Sequence, residues 1–152
     1  MRHGKKGRKL GLTTSHYYLM NRLMVTNLFK YERIVTTITR AKEFRRLAER
    51  LITRAREFNL NNYRYVMSHL QDKDTTKKLF DEIGPRFKDR NGGYTRIVRL
   101  GGSRWSGEKK AGKWADHRLG DGGERAILEL VVRSTSKAKE KEKKAKAEKK
   151  AE

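Results

Sequence analysis

RAKEFRRLAERLITRAREF occupies residues 40–58, and its spacing decides the fold. Phe44, Leu47, Ala48, Leu51, Ile52, Ala55 and Phe58 recur at intervals of three and four. On a period of about 3.6 residues those positions form one apolar stripe. Arg46, Arg50 and Arg54 fall four apart on another face. Like charges at that spacing repel by a few tenths of a kcal/mol per pair. The row is either a solvated face eased by Glu43, Glu49 and Glu57, or a face turned toward a polyanion. The stripe predicts a long helix that buries one side against the rest of a small domain.

Working outward, residues 14–31 also read as a helix, with Thr14 or Ser15 available to cap its first N–H groups. Met20, Leu23, Met24, Asn27 or Leu28, and Tyr31 follow its period. RIVTTI at 33–38 is β-branched and short, and predicts a strand. Two further helices are expected over 61–70, with Tyr63, Val66, Met67 and Leu70 inward, and over 73–83, with Leu79, Phe80 and Ile83 inward. Gly84-Pro85 is expected to end the last of these, glycine taking a left-handed cap and proline blocking continuation. Asn91-Gly92-Gly93 predicts a tight turn, and YTRIVRL (94–100) and AILELVV (126–132) predict two more strands. The expected fold is α+β: a small three-stranded mixed sheet packed with about four helices.

This domain is expected over 13–133, carrying a basic loop insertion at about 101–118. It is flanked by a basic, glycine-dotted arm at 1–12 and a Lys/Ala/Glu tail at 134–152. The arm has too little apolar content to build a core, so it is expected to order only on a partner. The tail is low in complexity and expected to be solvated and disordered.

Among 152 residues, 39 Lys+Arg against 18 Asp+Glu give a formal net charge of +21. Such an excess repels itself in isolation and points to a polyanionic partner, with nucleic acid the strongest candidate. An anionic membrane fits less well, because no long basic stretch has a bulky apolar face free of a core role. No apolar run approaches the roughly 18 residues that would suggest a membrane span. MRHGKKGRKL at the start lacks the apolar core of a secretory signal. The chain has no cysteine, which excludes disulfides, thiolate zinc sites and cysteine nucleophiles.

Catalytic chemistry finds little support. GEKKAGKW at 107–114 covers most of a phosphate-binding loop pattern, but Trp114 stands where a magnesium-holding Ser or Thr belongs. Ser15-His16 and Ser68-His69 are sequence neighbours, which point apart on a helix and make poor nucleophile–base couples. The four histidines, at 3, 16, 69 and 117, lack metal-ligand spacing. No catalytic residue, metal site, cofactor or small-molecule substrate is expected. Arginines, with their planar forked donors, and aromatics that can stack on unpaired bases run through most segments, which suits RNA. In the arm, Arg2, His3, Lys5, Lys6, Arg8 and Lys9 are the expected phosphate contacts.

Several blocks then stand in a telling order: MRHGKK at the start, TTSH at 13–16, YERIVTT at 31–37 and RAKEFRRLAERLITRA at 40–55. KLFDEIGPRF at 78–87, RNGGYTRI at 90–97 and GDGGERAILELV at 120–131 complete the set. Together they resemble the bacterial-type large-subunit ribosomal protein seventeen family over about residues 1–133, apart from the insertion. The resemblance implies a non-enzymatic, structural protein of the cytoplasmic ribosome that binds large-subunit rRNA near the outer end of the nascent-chain tunnel, beside other ribosomal proteins. By matching position it implies RNA contacts at Arg2, His3, Ser15, His16, Arg22, Lys42, Arg45, Arg46, Arg64, Arg86, Arg90, Tyr94 and Arg96. The sequence departs from the family where Tyr17 and Tyr18 replace two basic residues, where Asn61 replaces a frequent histidine, and where Tyr63 replaces the first of two arginines. From charge alone, a general nucleic-acid binder or RNA chaperone outside the ribosome is the other reading.

Overall fold

The computed structural model describes residues 3–4, 7–100 and 123–134. Helix α1 spans Thr14–Tyr31, strand β1 Arg33–Thr37, and helix α2 Ile38–Ala55. Helix α3 covers Leu60–Leu70 and α4 Lys73–Lys78, and strands β2 and β3 cover Thr95–Arg99 and Arg125–Leu130. The sheet order is β1-β3-β2, and both pairings are antiparallel. The expected mixed sheet is therefore corrected: β3 enters the middle and runs opposite to both neighbours.

The stripe of α2 packs as its spacing predicts. Phe44, Ala48, Leu51, Ile52 and Ala55 are buried against Val25, Leu28 and Phe29 of α1, Val66 and Leu70 of α3, and Leu128 and Leu130 of β3. Each such Leu, Ile or Phe contributes about 1.5–3 kcal/mol relative to exposure. Phe58 does not join them and is 77% exposed. The helix ends before it, so the period that aligned it with the stripe no longer applies. In α1 the buried residues are Val25, Leu28 and Phe29, whereas Leu23 and Tyr31 face outward. Thr13, not Thr14 or Ser15, occupies the N-cap, and it makes no side-chain cap bond.

The fourth helix runs on where its end was expected. After α4 the backbone widens into a π turn, Leu79–Ile83, and continues through one more helical turn, Gly84–Arg86. Gly84 has φ −51° and ψ −53°, ordinary right-handed helix, so it is not a left-handed cap. Its lack of a side chain has another cause: a methyl group there would overlap the backbone carbonyl of Ala55. Glycine lets this turn press directly on the end of α2.

Two buried carboxylates tie the elements together. Glu32 follows α1 in the left-handed region, at φ +60°, and its N–H donates to Leu28 O at 2.7 Å. Its own carbonyl accepts the Leu130 N–H at 3.1 Å, linking α1 to β3. Its carboxylate accepts from Arg86 Nη1 at 3.0 Å and from the Ser134 N–H at 2.7 Å, with Lys78 Nζ at 3.7 Å. Burial would push this carboxyl's pKa up, but the Ser134 N–H and the Arg86 guanidinium outweigh it and hold it below the usual range. Glu129 lies in β3 between Arg33 and Arg96 in register, and binds both together with Arg133.

The flanks touch the domain. Leu10, within the stretch read as an arm, packs against the core. Ser134, the first residue of the stretch read as a tail, is held by Glu32. No helix among the described residues is long and apolar enough to cross a membrane.

Candidate nucleic-acid interface

Every described Lys and Arg is at least partly exposed, so the site is found by asking which ones the fold already pairs. Arg33, Arg96 and Arg133 bind Glu129. Arg86 bridges Glu32 and Glu82, and Arg45 pairs with Glu49 at 2.9 Å. Arg56 donates to Lys88 O at 2.7 Å and reaches Tyr94 Oη at 3.4 Å, and Arg54 lies over the Tyr65 ring at 5.2 Å. Lys42, Arg46, Arg50 and Arg64, by contrast, are exposed and make no ion pair with a described residue.

Arg46 and Arg50 converge with residues of two other helices. An open cleft of about 470 Å³ is lined by Tyr17, Tyr18, Asn21 and Arg22 of α1, by Glu43, Arg46, Leu47 and Arg50 of α2, and by Ser68 and His69 of α3. Helical spacing explains the convergence, because Tyr18 and Arg22, and Arg46 and Arg50, are each four apart and share a face. Arg22 is fixed by donating from Nε to His69 O at 3.3 Å. Tyr17 donates to Glu43 at 2.9 Å, and burial followed by that bond raises its pKa, so it stays protonated. Gly7 closes one side at φ +93°, where an added Cβ would sit 2.8 Å from Glu43 Oε1.

The expected contacts sort unevenly. Arg22 and Arg46 line the cleft. Ser15, His16, Arg8, Lys9, Lys42 and Arg64 are exposed, as is His3. Arg90 is exposed in the turn and donates to Gly92 O at 3.0 Å. Tyr94 is buried, 1% exposed, with its ring 5.3 Å from Phe87. Arg86 and Arg45 pair with Glu32 and Glu49, and Arg96 binds Glu129 while its side chain stays 54% exposed. Arg2, Lys5, Lys6, the 101–118 insertion and GEKKAGKW lie outside the described residues. Arg50 was offered by the sequence only as part of the Arg46, Arg50 and Arg54 row, and Asn21 was not offered at all; both line the cleft.

Ser68 Oγ comes within 3.2 Å of His69 Nδ1, closer than helical neighbours were expected to approach. The contact is still not a nucleophile and base. Nδ1 lies 2.9 Å from the carbonyl of Tyr65, which can only accept, so Nδ1 carries its proton. Ser68 itself donates to that carbonyl at 2.8 Å.

Comparison with known proteins gives these helices a context. The profile of the Ribosomal protein L17 family matches residues 20–113, which include all of α2, α3 and the cleft arginines. The chain belongs to the Ribosomal protein L17 family. It is 47% identical over 131 residues to large ribosomal subunit protein bL17 of Treponema denticola, a match covering 86% of this chain and 65% of that protein. It is 44% identical over 131 residues to the bL17 of Trichlorobacter lovleyi, covering 86% and 94%. With the bL17 of Dictyoglomus thermophilum it shares 42% over 131 residues, covering 86% and all of that protein. The family is one of non-enzymatic, structural proteins of the large ribosomal subunit, in line with the unproductive Ser68–His69 contact.

Proposed function

We propose that this chain binds and stabilises folded large-subunit rRNA in the bacterial-type cytoplasmic ribosome, through the face formed by α1, α2 and α3. The observation that carries the reading is the division among its cations. Arg33, Arg96 and Arg133 share the carboxylate of Glu129 and Arg86 pairs with Glu32, while Lys42, Arg46, Arg50 and Arg64 stand exposed without carboxylate partners among the described residues. An unpaired cation held on a rigid helix releases counterions on meeting phosphate and fixes where that phosphate lies. The work is thermodynamic: charge is neutralised where RNA helices crowd together.

The position near the outer end of the nascent-chain tunnel rests on the resemblance of the sequence blocks. Contact with neighbouring ribosomal proteins is supported by Phe58 and Leu60, exposed apolar side chains beyond the end of α2. The arm at 1–12 is proposed to order on rRNA, with Arg2, His3, Lys5, Lys6, Arg8 and Lys9 meeting phosphate.

Sucrose-gradient sedimentation in high salt tests the reading. The chain should travel with the large subunit, and an Arg46→Glu/Arg50→Glu variant should dissociate at lower salt. Release of the unaltered chain into the light fractions at salt that leaves other ribosomal proteins bound would count against it.

A further inference from the structure

The cleft between α1, α2 and α3 has more structure than a phosphate-binding surface needs. Its volume, about 470 Å³, falls within the ~300–1,000 Å³ span of small-ligand sites. One wall carries two tyrosines whose rings meet edge to face, centroids 5.8 Å apart at 73°. Tyr17 is held by its bond to the buried carboxylate of Glu43, so it forms a fixed support. Tyr18 remains 63% exposed beside it. Arg46 and Arg50 lie one helical turn apart along the same opening.

A bare duplex backbone would use the arginines and leave the exposed ring idle. An unpaired nucleotide supplies both complements: a phosphate for the forked guanidiniums and a π-face for the ring. We propose that this cleft receives a single unpaired ribonucleotide, its base stacked on Tyr18 and its phosphate held by Arg46 and Arg50. The proposal rests on the rRNA-binding reading of this face. It assigns a function to Tyr18, which makes no hydrogen bond or ion pair with a described residue.

Chemical probing of rRNA in large subunits carrying the full chain tests it. Tyr18→Ala should raise the reactivity of one unpaired nucleotide by about five-fold or more, the lower edge of what losing one stacked base gives. Tyr18→Phe should leave it protected, because the ring is kept. No nucleotide changing in Tyr18→Ala subunits would overturn the proposal, as would an equal change in both variants. Arg46→Ala/Arg50→Ala subunits separate this failure from a larger one: lost rRNA protection there keeps the face RNA-binding even if Tyr18 stacks on nothing. Should Tyr18→Ala fail to enter subunits, ultraviolet irradiation of unaltered subunits must give a nucleotide adduct at Tyr18, and adducts confined to other residues would overturn the proposal.

Discussion

The backbone N–H of Ser134 donates to the carboxylate of Glu32 at 2.7 Å, joining the residue that ends α1 to one just past the central strand. Arg86 reaches the same carboxylate from the turn after the π segment. One nearly buried acid thus fixes the ends of three elements, and it engages an arginine that the sequence offered to RNA.

Removing that acid should weaken the fold in a pH-dependent way. The folded pKa of Glu32 is depressed, so its contribution is fully present above the unfolded carboxyl value of about 4.3 and is lost as pH falls through the lower folded value. Glu32→Gln should cost about 1–3 kcal/mol at neutral pH, because Arg86 keeps only Glu82 as an ionic partner and the Ser134 N–H loses its charged acceptor. Denaturant unfolding across pH should show the gap between variant and parent closing below about pH 4. A gap that stays constant into acid would contradict this role.

Gly84 should resist even the smallest side chain. A Cβ there overlaps the carbonyl of Ala55, so α2 and the Gly84–Arg86 turn must move apart. Gly84→Ala should destabilise by about 1–3 kcal/mol, as overpacking does. Glycine here has helical dihedrals, so a substitution at an open helical site would instead be expected to gain stability. A thermal melt that rises on Gly84→Ala would refute the close approach.

Tyr94 should behave as a core residue. Tyr94→Ala should cost about 3–5 kcal/mol, as large aromatic truncations do. Tyr94→Phe should change stability by about 1 kcal/mol or less, since the contacts of its hydroxyl are long, 3.4 Å to Arg56 and 3.5 Å to Thr53. Affinity for rRNA should be the same for Tyr94→Phe and the parent chain. A large loss of affinity with stability intact would place its hydroxyl at the interface.

The sequence showed what local spacing determines. The stripe from Phe44 to Ala55 was legible because burial of one helix face imposes its own period. The phase of α1 was not, because apolar side chains lie around much of its circumference and Leu23 competes with Val25 for the core. Strand direction was misread because a strand's composition carries no sign of which way its neighbours run. The used and open arginines could not be separated either: Arg86 meets an acid 54 residues away and Arg96 one 33 residues away. The spacing of Arg46 and Arg50 was visible, whereas the approach of Tyr18 and Ser68 to that row needed the packing of three helices.

The division between paired and open cations is the central claim, and the salt dependence of rRNA affinity tests it most directly. Two double variants remove equal charge from different places: Arg46→Ala/Arg50→Ala from the open face, and Arg33→Ala/Arg96→Ala from around Glu129. Binding of the full chain to large-subunit rRNA is measured as salt is raised. The first variant should flatten the slope of log affinity against log salt by about 1.4–1.8, two phosphate contacts' worth. The second should leave the slope unchanged. Equal flattening by both variants would contradict the account, because it would show that the rRNA responds to net charge and not to this face.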